Sequence, residues 1–382
     1  MKRNIPHLFI LTATSLSALW LLPALSGCDS GAEQEPPAAG VPVAFEATAQ
    51  PVRASTRADE ITTANITSMG VFAAYTGQSD FNGSTPSPNY MYNQKVARAN
   101  GSSPWTYTPV KYWPDKAGDK ISFFAYAPYA DGTADSNPAI QDKEAAVGFP
   151  TLVYTVPAAE ADRIDLLAAT PLMNQTPATN SGKVEFKMKH ALTKVMIYVK
   201  SNDNQAGKKV TAFSIQGPNS GTLTYRTPTD GSDAGFGWTF PATTTGTFTA
   251  TATDFAVPDN SSAAKKLLAT FFLLPKGGGC TFSITYTYTG STSDGVEFTQ
   301  PVTLTAQSLP SPDAWVQGAA VSYTIGIEKK KITVTMTANP AWSDGGTGTT
   351  DGKPAEELKP EQDGDIPDWV PDTTEDLAGK EG

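Results

Sequence analysis

Histidine and cysteine are almost missing from this chain, whose 382 residues contain two of each. Structural zinc sites draw most of their ligands from those residue types, so neither a metal centre nor a cofactor is expected. His7 lies in the N-terminal leader, which leaves His190 alone for any Ser–His–acid arrangement. His190 continues the inward parity of Val184, Phe186 and Met188, so it reads as a hydrogen-bonded structural residue at a strand end. Charge is scarce too, at 17% of residues, and leans acidic, with a net charge of −10. No basic face is offered to phosphates, which excludes nucleic acid as a partner. No Walker loop or dinucleotide fingerprint occurs, and Gly277-Gly-Gly279 precedes a strand and reads as a turn. Asp363-Gly-Asp365 is too sparse for a calcium loop. A carboxylate pair for glycoside hydrolysis is defined by its separation in space, and no local pattern singles out two acids. No catalytic residue is expected.

The N-terminus carries a clear address. Lys2 and Arg3 precede residues 8–22, an apolar run broken only by Thr and Ser and too short to span a bilayer comfortably. It ends in Leu25-Ser26-Gly27-Cys28, which resembles a bacterial lipobox. Residues 1–27 are therefore expected to be a lipoprotein signal peptide, with Cys28 acylated as the mature N-terminus. Each buried acyl methylene contributes about 0.8 kcal/mol, so several chains hold the protein stably on a membrane. Residues 28–40, rich in Gly, Pro, Ala and acids, read as a tether. With Cys28 lipidated, Cys280 has no disulfide partner. It shares parity with Phe282, Ile284, Tyr286 and Tyr288, so it is expected to pack as a small hydrophobe.

The body holds 32 Gly and 30 Pro among abundant Thr and Ser, a mix suited to many short strands and tight turns. Alternation predicts strands near 41–45, 66–75, 105–108, 121–127, 184–189, 195–199, 208–216, 267–274, 279–289, 296–305, 319–328 and 331–337. The nearly continuous apolar run Ile121-Ser-Phe-Phe-Ala-Tyr-Ala127 suits a strand covered on both faces. Short helices are expected near 158–167 and 262–268. The fold class is all-β, two β-sandwich domains over 41–190 and 191–345 with a seam near 189–193. Residues 346–382, where eleven acids face three lysines from residue 351 onward, read as a disordered acidic tail. Trp105, Trp113, Trp238, Trp315 and Trp342 are expected to pack in cores, the other use of such rings being a carbohydrate platform.

One stretch stands apart. In Gln50-Pro-Val-Arg-Ala-Ser-Thr-Arg-Ala-Asp59, Arg53 and Arg57 lie four apart without apolar periodicity around them. Several other stretches supply a context: Tyr112-Trp113-Pro114, Ile121 to Pro128, Asp165-Leu166-Leu167-Ala168, Phe186-Lys-Met-Lys-His190-Ala-Leu-Thr-Lys-Val195, Leu273-Leu274-Pro275, and Ile332-Thr-Val-Thr with Trp342. In that order and spacing, over about residues 41–345, the chain resembles the fimbrillin-like proteins of Bacteroidales, lipoprotein subunits of type V pili. The resemblance implies transthyretin-like Greek-key sandwich domains, no enzymatic activity, and a surface-exposed lipoprotein of the outer membrane that enters a fimbrium. It also implies that an arginine-specific protease cuts at Arg57, leaving Ala58 as the new N-terminus, with Arg53 as second choice. The cut removes a strand carrying Val41, Val43 and Phe45, and other pilin subunits fill the vacated groove by strand exchange, in support of adhesion to a host or bacterial surface. The acidic, non-alternating C-terminus departs from the donor strand of a stalk subunit, which leaves a stalk role with 331–343 as donor, or a tip, anchor or accessory role. A surface lipoprotein that binds glycans for uptake is the alternative from another class, and a carboxylate-dependent hydrolase is a third.

Overall fold

The computed structural model describes residues 40–49 and 60–339, apart from residues 85–86, 134–135, 204–206, 243, 260–263, 294, 311 and 329–330. Cys28, Arg53, Arg57, Ala58, Trp342, the leader and the acidic tail lie outside the described residues. The described residues from Gly40 to Asn339 belong to one compact unit.

Strands come in chain order as β1 Ala44–Ala49, β2 Ser68–Gly77, β3 Met91–Ala97, β4 Lys120–Ala127, β5 Ala139–Ile140, β6 Thr151–Thr155, β7 Leu167–Ala169, β8 Leu172–Gln175, β9 Lys183–His190 and β10 Thr193–Ser201. They continue as β11 Lys209–Pro218, β12 Ser220–Tyr225, β13 Phe236–Thr239, β14 Thr245–Ala250, β15 Phe255–Ala256, β16 Lys266–Leu273, β17 Thr281–Ser291, β18 Glu297–Ser308, β19 Ala320–Ile327 and β20 Ile332–Asn339. The helical turns among the described residues are short 3-10 pieces, such as Glu160–Asp162.

Four sheets result. The largest runs β1-β9-β7-β4-β2-β3, with β8 also on β4, and the second runs β13-β12-β6-β5. The other two run β16-β10-β19-β20 and β14-β11-β17-β18, with β15 also on β11. The second sheet takes β5 and β6 from before residue 190 and β12 and β13 from after it, so a cut at 190/191 runs through paired strands. The junction itself is no linker. Ala191 and Leu192, between β9 and β10, are wholly buried. The Ala191 N–H donates to the Leu166 carbonyl, and the Gly318 N–H donates to the Leu192 carbonyl.

The continuous apolar run of β4 has a direct cause. Phe124 and Tyr126 face the main core, while Ile121, Phe123, Ala125 and Ala127 face a second core on the other side of the sheet. β2 divides the same way, with Phe72 and Ala74 in the main core and Met69, Val71 and Ala73 in the second. The second core is covered by residues 98–113, which include Trp105, Tyr107 and Trp113.

Three sequence-based expectations need correction. Residues 105–108 make no strand, only the isolated bridge of Thr106 to Ala97. Pro104 and Pro109 flank them and remove the donors that a ladder needs. Near 158–167 the chain makes a single 3-10 turn, and the Arg163 guanidinium holds the region extended by donating to the Pro157, Ala158 and Thr249 carbonyls. In place of a helix reaching residue 268, β16 starts at Lys266 and pairs with β10 from Val199 back to Thr193.

Candidate functional site

The feature that connects most sequence signals is the seat of β1. Its sequence Ala-Phe-Glu-Ala-Thr-Ala alternates, and the structure uses the alternation fully: Phe45, Ala47 and Ala49 are buried while Ala44, Glu46 and Thr48 are exposed. Val43, just before the strand, is buried as well. Val41 is not part of this face; it is 56% exposed. At Val41 and Pro42 the chain has left the β9 ladder for an isolated bridge of Pro42 to Tyr112, so strand parity no longer dictates which way the side chain points.

β1 is the edge strand of its sheet and runs parallel to β9, in register from Ala44 opposite Lys183 to Ala49 opposite Met188. The Phe45 ring stacks on Phe186 at 6.0 Å between centroids and meets Phe123 and Tyr107 edge-on at 6.1 and 5.2 Å. Burying a side chain of that size stabilises by about 1.5–3 kcal/mol. The Lys183–Glu46 ion pair, 2.9 Å long, is half exposed on both sides and contributes little.

A strap fastens the start of β1. The Val43 N–H donates to the Lys111 carbonyl at 2.9 Å, and the Trp113 N–H donates to the Val41 carbonyl at 2.8 Å. The Tyr107 hydroxyl, held above the usual tyrosine range chiefly by burial, donates to the Val43 carbonyl at 2.7 Å. The Trp113 indole N–H donates to the Gly182 carbonyl at 2.8 Å and ties the strap to the turn before β9. At the far end the Ala49 N–H donates to Thr63 Oγ1, and that hydroxyl lies within hydrogen-bond reach of the Ala49 carbonyl. The strap went unread in the sequence because its aromatic alternation imitates a strand; its three prolines, 104, 109 and 114, are the signal against that reading.

The described residues resume at Glu60, after the segment that bears Arg53 and Arg57. Glu60 and Lys194 form a buried ion pair, each side chain 3% exposed. Ile61 N–H donates to Asp165 Oδ2 at 2.9 Å, and Asp165 Oδ1 pairs with His190 Nδ1 at 2.9 Å, with both side chains fully buried. His190 thus ends β9 in a hydrogen-bonded structural position. Among the described residues no three of His, Cys, Asp and Glu converge as metal ligands.

The tryptophans fall into packing. Trp113 and Trp315 are buried, and Trp315 Nε1 donates to the Tyr323 hydroxyl. Trp238 stacks on Phe240 and donates to the Ala191 carbonyl. Trp105 lies beneath the Arg98 guanidinium, 4.5 Å from its ring centroid. Cys280 is buried, and burial chiefly pushes its thiol up to about 11. A thiol of that kind is protonated at neutral pH and shielded from reagents. Maleimide at pH 8 is expected to leave Cys280 unmodified in the folded chain and to label it once guanidinium unfolds the protein; mass spectrometry of both samples checks this.

Among the described residues, then, the chain is all-β, and its first strand is a buried edge strand on β9. The comparisons give the family. A family model described as fimbrillin-like matches residues 56–342, and the chain belongs to that family, one of fimbrial proteins rather than enzymes. Fimbrium subunit Fim1C of Phocaeicola vulgatus is 35% identical over 159 residues, which are 37% of this chain and 39% of that protein. The matched part therefore spans well under half of that relative's length. A crystal structure of a fimbrial protein from Bacteroides vulgatus shares the fold at a TM-score of 0.60 and 22% identity, covering 79% of this chain and 99% of that one.

Proposed function

We propose that the chain is a fimbrial subunit, exported as a lipoprotein through Cys28 to the outer-membrane surface, cut at Arg57 or Arg53, and assembled with other pilin subunits by strand exchange. The observation that carries this reading is β1: a six-residue edge strand, seated by Val43 just before it and by Phe45, Ala47 and Ala49, and followed in sequence by the two arginines. Once cut from the body, such a strand is held by non-covalent bonds alone. Its loss uncovers the aromatic wall of Phe123, Phe186 and Tyr107 and the polar edge of β9, a template for an incoming extended segment.

The donor remains part of the proposal. Residues 332–339 pair with β19 within this chain, and Ile332 and Val334 are buried there, so a donor drawn from this stretch has first to leave its own sheet. That cost favours a tip, anchor or accessory role over a stalk role.

The test is processing. Surface protein from the native host is expected to begin at Ala58, or at Ala54, by N-terminal sequencing. The double variant Arg53→Ala with Arg57→Ala is expected to keep the far-UV spectrum of the parent, retain β1 and lose all polymer in an SDS-resistant ladder. Normal polymer from that variant overturns the processing reading.

A further inference from the structure

β1 and the chain that follows it are joined by only ten residues, 50–59, yet they are held in the fold by different means. β1 is fastened by apolar burial, one parallel ladder and the strap. Glu60 and Ile61 are fastened by buried charge: Glu60 on Lys194 of β10, and the Ile61 N–H on Asp165, whose other oxygen is engaged by His190. The turn that follows closes on itself, with the Ile66 N–H donating to the Thr62 carbonyl at 2.9 Å, and Arg98 donates from outside to the Ile66 and Thr63 carbonyls. What joins this turn to β1 by hydrogen bonds is the Ala49–Thr63 contact.

The two attachments respond differently to opening. When β1 leaves, apolar surface and ladder groups meet water, and no ion is stranded. When Glu60 leaves, Lys194 stays in an interior where it is 3% exposed, and when Ile61 leaves, a fully buried carboxylate loses a donor. Breaking the contacts of buried charged groups is among the more expensive outcomes of local opening. Edge strands belong to the low-stability end of a structure, and networks of this kind to the high end.

We infer that Glu60 and Ile61, held by Lys194 and by Asp165 with His190, form a built-in stop that confines strand release to the chain before residue 60 and keeps the start of the remaining body in place. Lys194, Asp165 and His190 are positioning residues in this device. Its role in assembly rests on the processing reading above, but its existence is a property of the uncut chain and is tested there.

The experiment is native-state hydrogen exchange on the full chain in low denaturant, read by mass spectrometry for peptides over 44–49 and 60–67. The 44–49 amides are expected to open first, with 60–67 still protected by at least about tenfold more. Asp165→Asn is expected to speed exchange over 60–67 about tenfold or more and leave 44–49 unchanged. If that variant fails to fold, Ile61→Pro, which removes the donor together with the Ile61 side chain packed on the second core, serves the same arm. Opening of both segments together in the parent chain overturns the stop, as does a variant that accelerates both equally. An Arg-specific protease added to the same protein separates the two ideas. Ordered exchange without any cut at Arg53 or Arg57 leaves the stop standing and removes the processing reading.

Discussion

Phe45→Ala is expected to lower the unfolding free energy of the uncut chain by about 3–5 kcal/mol, the usual range for deleting a buried aromatic ring. The ring is 4% exposed and has three aromatic neighbours, Phe186, Phe123 and Tyr107, with centroids 5.2 to 6.1 Å away. Those neighbours belong to β9, β4 and the strap, three separate stretches of chain that cannot all collapse toward one void. The cost therefore stays near the upper part of that range. Under the proposed processing β1 is lost, so the same change is then expected to leave the stability of the cut and strand-freed body unaltered. Urea midpoints for the parent and variant, before and after removal of the strand, check both halves. A shift below about 1 kcal/mol in the uncut chain means that β1 is not an energetic part of the fold.

Glu60→Gln is expected to destabilise by about 3–5 kcal/mol, because it removes a carboxylate charge paired with the buried Lys194 ammonium. Lys194→Met alone, which removes the other member of the pair, belongs in the same range. The double change Glu60→Leu with Lys194→Met is the discriminating construction: it removes both ions, and a well-packed apolar pair there is expected to come within about 1 kcal/mol of the parent or exceed it. Denaturant unfolding of the parent, Glu60→Leu, Lys194→Met and the double variant closes the cycle and gives the coupling. A double-variant loss equal to the sum of the two single losses overturns the view that desolvation dominates this pair.

What the sequence made legible follows its periodicities. β9, β19 and β20 alternate cleanly, and each lies within about two residues of its expected span. β4 was readable as doubly covered because both of its faces meet cores. The strands over 151–155, 220–225 and 236–239 escaped notice because each offers two or three large apolar residues among Thr, Gly and Ser, too few to distinguish a strand from a loop. Their pairing joins residues some 70 positions apart, and no local pattern carries that distance. The same holds at the site. The alternation of Val43 and Phe45 announces an inward face, and its continuation through Ala47 and Ala49 is hidden because alanine also stands at the exposed position Ala44 and gives little contrast. Glu60 and Lys194 lie 134 positions apart, and nothing near either of them marks the other.

The parallel register of β1 on β9 bears on how that position would carry load under the proposed strand exchange. Traction along the axis of a strand lying there stretches its six residue pairings at once, in shear, whereas a pull across the sheet unzips them one after another. The closed apolar seat beneath adds resistance along the same direction. A filament assembled by the proposed exchange would thus gain tensile strength from geometry alone, without a covalent bond between its units.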